Sequence, residues 1–571
     1  MAWSRHARRP AAGVVTAAWF DASRAARTGW SEELTVTTGE IEIEMAGPGT
    51  ARGPEPTAEG LMAARERVCA SLASAVGADG AVRRPCASRA LESALLLVLL
   101  RRRGGHPRQE RELAGFLADP RAQAGGFDAA LAQAVLHGRR SRTDVVGGEL
   151  LAEFDHFSLA RKRLLFDVYL AVAGAVPFDT SMLRPHRAAD RGDAGADNTV
   201  TWIEMIMLSA RVLVAHGLGS GAQVTDGERE RLLELLGSSR APVWENYTAA
   251  HLLALLAVQE FAPGHRLVET GTAAVLACRN PDGGVPSMSN LDVFSTGPAV
   301  LALARAGADR ALLHRMCDYL IDRQMQYGGW AFGEDMRHSD VDAGSYAAAA
   351  LAAVDPARHR DALLRAGEYF RGIAGRDGGF PTYMKGDPSE VGMTAGAVSA
   401  LAWNGSGHGD LLDGAARWLL DAQREDGTFE RSWSLSEANT IWRAMWALHS
   451  MPEPTRTALK GRIADAGAAA RRFLARAQNG DGGWGYRPGD ASDTASTCYS
   501  LLALSAMGRR PRQDAGMRAG LAHLLSRQQS DGTFTALPDQ VAPRPLLFDA
   551  PVFTDIWVLL ALTGCDGDEA R

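Results

Sequence analysis

The sequence predicts an all-α protein made of two barrels of paired helices, and three observations support this fold class. A short phrase recurs through the second half of the chain about every 50 residues, which is typical of one repeated supersecondary unit. Each copy lies between apolar stretches that have the spacing of amphipathic helices. The chain has 571 residues, and since single domains usually hold about 100–150, two large domains are expected.

The recurring phrase contains a turn glycine, usually preceded by Asp and followed by a second small residue and an aromatic one. Glycine supplies the left-handed backbone that ends a helix, so each unit is predicted to be helix, turn, helix. Six such pairs of similar length close most simply into a double-walled ring of inner and outer helices. The turn glycines are Gly283, Gly328, Gly378, Gly427, Gly482 and Gly532.

The phrase is nearly absent before about residue 235, where only Gly77–Val82 echoes it. Residues 58–235 still have helical periodicity, which predicts a smaller and degenerate α-barrel. Residues 236–571 are predicted to form the repeat barrel. Residues 1–57 are predicted to be an N-terminal helix, near Val14–Ala26, and a linker.

Composition excludes several classes of protein. The 61 basic and 67 acidic residues give a net charge of −6, so nothing indicates a nucleic-acid partner. Six cysteines without a CxxC pair favour reduced thiols over a disulfide framework or a zinc site. No apolar run reaches the roughly 18 residues that span a bilayer, and no nucleotide-binding motif is present. The expected location is the cytoplasm, with peripheral membrane contact left open.

One segment carries a family resemblance. The stretch G-G-W-A-F-G-E-D-M-R-H-S-D-V-D-A-G-S (Gly328–Ser345) resembles the G-G-W-x-F and D-V-D-D-T-A motifs of squalene–hopene cyclases, and the repeats resemble their QW repeats. The chain is thus similar to class II terpene cyclases, well over residues 236–571 and weakly over 58–235. The resemblance implies two α-helical barrels in the βγ arrangement, with the smaller barrel inserted after an N-terminal helix of the larger, so that Val14–Ala26 would pack on the larger barrel.

The resemblance also implies an acid. Class II cyclases protonate an alkene or epoxide, which requires a carboxylic acid kept neutral in a dry pocket. By the family match, Asp342 takes the position of the proton donor and Asp340 supports it. The motif is incomplete, because Ala343 stands where the second Asp of the doublet is usual and Gly396 where squalene–hopene cyclases have a histidine. What replaces these two groups stays open, with His338 and Glu390 as candidates, as does a simple helix-capping role for both aspartates.

The migrating carbocation needs walls that stabilise charge without attacking it, which aromatic faces provide. A diphosphate would need cations, and magnesium is compatible with the sequence although the expected acidic motif of the smaller domain is reduced to Glu92. The candidate aromatic walls are Trp330, Phe332, Trp433, Trp442, Phe294 and Phe380. The candidate diphosphate ligands are Arg89, Arg161, Lys162 and Arg163.

The predicted function is protonation-initiated cyclisation of a linear isoprenoid, with a C15–C20 prenyl diphosphate preferred because of the chain length. A squalene-type substrate and a barrel retained as a scaffold after loss of its acid stay open as alternatives. A zinc prenyltransferase is disfavoured, because Ser496 occupies the place of the zinc histidine. A glycoside hydrolase is disfavoured too, because its α/α barrel lacks this repeat.

Overall fold

The computed structural model describes residues 57–123, 125–141, 151, 158–183, 201–405, 407–431, 433–542 and 544–565. The predicted N-terminal helix near Val14–Ala26 lies outside the described residues. Helices dominate throughout, as the sequence predicts. None of the helices in these ranges is long and apolar enough to cross a bilayer.

Inner helices of the C-terminal barrel form a closed ring. Each packs on the next along the chain, and the last packs on the first, which confirms the predicted closure. The ring buries the apolar residues at which the inner helices meet. The inner helices are α10 (Asp292–Arg305), α12 (Val341–Val354), α14 (Val391–Leu401), α16 (Glu437–His449), α19 (Thr494–Ala506) and α21 (Pro551–Gly564).

Outer helices surround this ring and are amphipathic, with one apolar face against the inner helices. The helix that precedes the smaller domain in sequence belongs to this layer, because it packs on α21, on α10 and on the last outer helix. The outer helices are α1 (Ala58–Ser74), α11 (Arg310–Asp322), α13 (Arg360–Ile373), α15 (Gly409–Ala422), α18 (Lys460–Ala477) and α20 (Ala515–Ser526), with the short α17 (Glu453–Ala458) before α18.

The backbone conformation and close packing of the turn glycines explain why the repeat has glycine at its centre. All six predicted glycines have positive φ, between +87° and +96°. Five of them press against the next outer helix around the ring: four on its backbone, as Gly482 does against Ala519, and Gly532 on the Cβ of Arg67 in α1. The sixth contact of this ring is made by Gly80, which packs on Arg315 of α11, whereas Gly283 packs on Glu112 of the smaller domain. The echo at Gly77–Val82 is therefore the sixth unit of the barrel in place of the predicted unit at Gly283.

The repeat glutamine ties neighbouring units together. Its side-chain amide donates to the carbonyl oxygen of its own turn glycine and to a carbonyl oxygen of the next outer helix. Gln478 makes both bonds at 2.8 Å, to Gly482 and Gly516. In the last copy, Gln528 reaches Ala64 of α1 at 3.1 Å, which closes the outer ring. The other two copies are Gln324 and Gln423.

We expect Gly482→Ala to destabilise the barrel by about 2 kcal/mol or more, because a Cβ at a positive φ is strained. That Cβ would also lie 2.5 Å from the carbonyl oxygen of Ala519. Gly480→Ala in the same turn is the matched control, since no atom lies within 4 Å of a Cβ at that position. Chemical denaturation measures both variants, and equal stability of the two would contradict this account of the turn.

The smaller domain is also helical, and its helices pack around α2, whose Leu-rich run from Leu91 to Leu100 is mostly fully buried. Its described helices are α2 (Ala90–Arg103), α3 (Pro107–Ala118), α4 (Gly126–His137), α5 (Leu159–Ala173), α6 (Thr201–Gly217), α7 (Asp226–Gly237), α8 (Thr248–Phe261) and α9 (Arg266–Ala277).

The helix contacts set the domain limits elsewhere than the predicted boundaries at 58 and 236. Helix α1 packs on the barrel, while α8 and α9 pack in the smaller domain. The smaller domain is thus inserted between the first outer helix and the first inner helix. Helical periodicity could not place these domain boundaries, because amphipathic helices have the same pattern whichever core they face.

A short β-hairpin interrupts the helical fold near the C-terminus. Its strands, β1 (Gln540–Val541) and β2 (Leu547–Phe548), pair antiparallel. Helical periodicity gave no indication of it. Between the two strands lies Arg544, which the hairpin directs into the cleft described next.

Candidate active site

A cleft lies between the smaller domain and the barrel. Its free volume is about 870 Å³ when the open mouth is included. The smaller domain contributes the start of α5, the start of α6 and the turn before α8, and the barrel contributes loops at the N-terminal ends of its inner helices. The lining includes Arg161, Lys162, Trp202, Glu245, Tyr247, Phe332, Thr382, Tyr383, Asp387, Glu390, Trp433 and Arg544.

Two of the four predicted diphosphate ligands line this cleft. Arg161 and Lys162 enter it from the first turn of α5. Burial lowers the pKa of Lys162 well below its usual range, and the charges of Arg161 and Arg544 lower it further. The ammonium of Lys162 has no hydrogen-bond acceptor or ion-pair partner within the described residues. An anionic ligand beside Lys162 would stabilise the charge of its ammonium group.

The other two predicted ligands lie elsewhere. Arg89 is buried in an ion pair with Glu92 and donates to the carbonyl oxygens of Ala542 and Leu547, at 2.7 and 3.2 Å. It therefore fastens the hairpin to α2 with all three guanidinium nitrogens engaged, and both carboxylate oxygens of Glu92 accept from it. Arg163 is exposed on the opposite side of α5 from the cleft residues.

Arg544 is a cleft cation that the sequence analysis missed. Its guanidinium donates to Glu390 at 3.0 Å and stacks on the Trp433 ring, 4.2 Å from the ring centroid. The R-P-L-L-F segment carried no repeat signal, and only the hairpin brings it to the cleft. Glu390, one of the proposed substitutes for the missing acid support, is instead held here by Arg544 and Thr382.

The predicted aromatic walls fall into three groups. Phe332 and Trp433 line the cleft, as predicted, together with Tyr383 and Trp202, whose rings meet edge to face at 4.5 Å. Trp202 could have been suspected from its place at the start of an apolar helix. Tyr383 had no such signal, since it lies in an irregular loop.

Phe294 and Trp442 lie deeper, in an aromatic belt on the inner faces of the ring helices. The ring centroid of Phe294 is 5.2 Å from that of Phe553, and Trp442 lies 5.4 Å from Trp557. The belt is completed by Tyr346 and Tyr499. Four of these residues occupy the sixth or seventh position of an inner helix, a signal that an alignment of the repeats could have found.

Trp330 and Phe380 were predicted to contact substrate, and the structure contradicts this. Trp330 is fully buried and its indole N–H donates to the carbonyl oxygen of Leu320 at 2.7 Å. Trp484 makes the equivalent bond to Leu474. The aromatic residue of the repeat therefore packs between outer helices, and Phe380 is similarly buried against Phe370.

Asp340 caps the N-terminus of α12. Its Oδ1 accepts from the Ala343 backbone N–H at 2.7 Å, and its Oδ2 has no partner within the described residues. Burial raises its pKa to about 7, and the charge of Asp342 acts in the same direction. Asp493 has the equivalent position in α19, with an unpartnered Oδ2 and a pKa raised by burial to about 7. Aspartate capping thus recurs at the same position of a second inner helix, and it applies to Asp340 but not to Asp342.

Asp342 points to the interior of the ring and is not a lining residue of the cleft. Its two oxygens accept from the guanidinium of Arg443 on α16, with Nη1 at 3.2 Å from Oδ2. Nothing in the repeat pattern singled out Arg443, because the contact joins helices about 100 residues apart in sequence. The side chain of Asp342 is 14% exposed and lies beside the aromatic belt at Tyr346.

A short segment connects the cleft with this acidic pair. The carbonyl oxygen of Thr382 accepts from the Val341 N–H at 3.0 Å, and its hydroxyl contacts Trp433 and Glu390. The next residue, Tyr383, lines the cleft and lies within electrostatic range of Asp340. The cleft and the acids therefore lie on the two sides of the 382–383 segment.

No group of three or more His, Cys, Asp or Glu side chains suited to a metal ion occurs within the described ranges. One carboxylate at the cleft has unused capacity. Glu245 is buried, has a left-handed backbone with φ of +47°, and its Oε1 accepts no hydrogen bond from described residues, although the Arg337 guanidinium lies 3.9 Å from it. Strain and an unsatisfied buried oxygen are typical of functional positions.

Comparisons with known proteins agree with this architecture. The squalene-hopene cyclase C-terminal domain family matches residues 384–564, and the prenyltransferase alpha-alpha toroid domain family matches residues 240–431. The ent-copalyl diphosphate synthase from Streptomyces platensis superposes with a TM-score of 0.52 at 19% identity, over 88% of this chain and 99% of that chain. At that identity the likeness shows the fold.

Relatives of higher identity define the family. A drimenyl diphosphate synthase of Streptantibioticus cattleyicolor is 38% identical over 531 residues, which are 90% of this chain and 97% of that protein. Another, of Streptomyces showdoensis, is 38% identical over 536 residues, 90% of this chain and 96% of that protein. The chain belongs to the class II terpene cyclase family. It is an enzyme that cyclises an isoprenoid, as the sequence predicted.

Proposed function

We propose that this enzyme cyclises farnesyl diphosphate, a C15 prenyl diphosphate, to a bicyclic drimane-type product that keeps its diphosphate. The observation that carries the proposal is the cluster formed by Arg161, Lys162 and Arg544 beside the mouth of an aromatic-lined barrel. The names of the two relatives that are 38% identical support the choice of substrate. An uncharged squalene-type substrate would offer these cations no anionic group to bind.

The diphosphate binds first, at the cleft. Arg161 and Lys162 supply charge from the smaller domain, and Arg544 supplies it from the hairpin. Guanidinium and ammonium groups form charge-assisted bonds with phosphate oxygens. A magnesium ion would be held by Glu245, whose Oε1 accepts no hydrogen bond from described residues and lies 3.9 Å from Arg337, and it would screen the phosphate charge. Because the diphosphate is anchored at one end, the hydrocarbon tail is directed towards the barrel.

The acid then starts the reaction. Asp342, supported by Asp340, gives its proton to the terminal alkene, and the carbocation is attacked in turn by the two remaining double bonds, forming two carbon–carbon bonds. Loss of a proton from the bicyclic cation makes the final alkene, so protons balance and the reaction is an isomerisation. The aromatic belt at Phe294, Tyr346 and Trp442 stabilises the cation during these steps.

The test is incubation of the purified protein with farnesyl diphosphate, geranylgeranyl diphosphate and squalene, each with magnesium. We expect a bicyclic C15 diphosphate as the main product, identified by mass spectrometry after phosphatase treatment, and no release of inorganic diphosphate. Release of inorganic diphosphate would indicate an ionisation mechanism and contradict the proposal. Preference for the C20 substrate or for squalene would contradict the C15 assignment.

A further inference from the structure

Arg443 contacts Asp342, the acid that lacks the second aspartate and the histidine of the family motif. It projects from inner helix α16 into the ring, where its two terminal nitrogens both donate to Asp342 of α12. Both side chains are largely buried, with exposures of 10% for Arg443 and 14% for Asp342. The guanidinium also stacks over the ring of Tyr346, 5.4 Å from the ring centroid. It is thus held on two sides.

The guanidinium fits because residue 396 has no side chain. A Cβ at Gly396 would lie 2.9 Å from Nη2 of Arg443 and 2.8 Å from Oγ of Ser345. Any larger residue at 396 would compete with Arg443 for the same space. The two departures from the family motif, Ala343 and Gly396, are therefore accompanied by a new partner for Asp342.

A cation beside a carboxylic acid acts mainly on its conjugate base. When the proton leaves Asp342, negative charge develops between the two carboxylate oxygens, where the donors of Arg443 already lie. A preorganised charge in a dry site stabilises a developing charge without the cost of reorganisation. Burial opposes the charge on Arg443, yet the carboxylate of Asp342 and the nearby Tyr346 raise the pKa of its guanidinium. Arg443 therefore stays charged throughout turnover.

We propose that Arg443 is the positioning residue of the acid, holding the Asp342 carboxyl and stabilising the charge left there as its proton departs. This inference rests on the proposed protonation chemistry. It assigns to one arginine the support that the second aspartate and the histidine would otherwise give.

Few other groups near the pair change charge at ordinary pH. Burial raises the pKa of Tyr346, and it raises those of Tyr383 and Tyr499 too, so all three stay neutral. Asp340, whose pKa burial raises to about 7, is the remaining neighbour that titrates. A change in the pH profile after substitution of Arg443 therefore reports on the two carboxyls.

The experiment compares Arg443→Gln and Arg443→Lys with the wild type on the prenyl diphosphate that it turns over best. We expect Gln to lower kcat by about 100-fold with KM changed less than about twofold, and Lys to restore part of kcat. Without the cation the acid is harder to ionise, so the loss of activity on raising the pH shifts to higher pH in Arg443→Gln. Arg305→Gln is the matched control, since Arg305 also lies on an inner helix but stacks on Trp446 without an ion pair in the described structure.

A second pair of variants tests whether a side chain at position 396 and Arg443 compete for the same space. Gly396→His in the wild type is expected to displace Arg443 and to lower kcat at least as much as Arg443→Gln. Adding Gly396→His to Arg443→Ala gives the histidine room, so kcat should rise above that of Arg443→Ala alone. A double variant that is no better than the single one would overturn the claim that these positions share one role.

The pairing itself has a readout that does not depend on turnover. Arg443→Gln leaves a buried carboxylate without a partner, so its melting temperature should fall further below that of the wild type than the melting temperature of Arg305→Gln does. An equal fall in the two variants, or an unchanged kcat in an active enzyme, would overturn the inference while the proposed function stands. A wild type inactive on every prenyl diphosphate overturns the proposed function itself.

Discussion

Replacing Asp342 by Asn is expected to abolish cyclisation, with a loss of about 1,000-fold or more in kcat, because the amide cannot give a proton to an alkene. Asn is nearly isosteric and still accepts from Arg443, so the fold should survive. Asp340→Asn should lower kcat less, by about 10- to 100-fold. Two adjacent carboxyl groups do not both ionise, and the substitution removes this restraint on Asp342. Product formation with farnesyl diphosphate measures both.

The repeat offers a matched control for these substitutions. Asp493→Asn alters the same capping position in α19, where the carboxyl has the same unpartnered oxygen and the same raised pKa. Asn caps a helix about as well as Asp, so stability should change by less than about 1 kcal/mol and turnover should stay unchanged within about twofold. If Asp342→Asn retained wild-type turnover, Asp342 would not be the donor. If Asp493→Asn were as inactive as Asp340→Asn, capping alone would explain both.

Lys162→Ala is expected to raise the KM for the prenyl diphosphate by about 10- to 100-fold, because a charge-assisted bond to a phosphate is lost. The effect on kcat should be small, since the diphosphate is bound equally in the ground and transition states. Burial, and then Arg161 and Arg544, lower the pKa of Lys162, so its charge is lost as pH rises earlier than for a free lysine. The KM of the wild type should therefore rise with pH.

Lys162→Arg tests the sign of this effect, because a guanidinium keeps its charge at every accessible pH and should flatten the rise in KM. The control is Arg163→Ala, the next residue on α5, which is exposed and outside the cleft. A KM that responds equally to Lys162→Ala and Arg163→Ala would indicate general charge attraction rather than a specific contact.

Much of the barrel could be predicted because its signals are local. A turn glycine with positive φ, a glutamine that bridges to the next helix and an aromatic residue that packs between helices each leave a mark at a fixed spacing. Those marks predicted the ring, its period and its two layers. They misplaced one unit, since Gly283 has the right backbone but its neighbour is Glu112 of the smaller domain. Only spatial neighbours distinguish Gly283 from Gly80.

The site was predicted in part, and the failures have a common cause. Phe332, Trp433, Arg161 and Lys162 line the cleft as expected. Trp330 belongs to the repeat's own packing, which a single copy of the motif does not reveal. Arg89 forms an ion pair with Glu92, three residues away in the sequence, and both side chains are buried. Sequence gives the residue types that a chemistry needs, but not which of them have their donors already satisfied.

By itself the sequence determined the all-α class, the repeated unit, the family and the pair of carboxyls at the start of α12, because each depends on residues close together in the chain. The tertiary structure decided which helix precedes the inserted smaller domain, the entry of Arg544 into the cleft and the pairing of Asp342 with Arg443. These depend on contacts between residues about 100 or more positions apart. Such contacts are fixed by the packing of whole helices, and no local pattern encodes which distant side chain will fill the space that a glycine leaves.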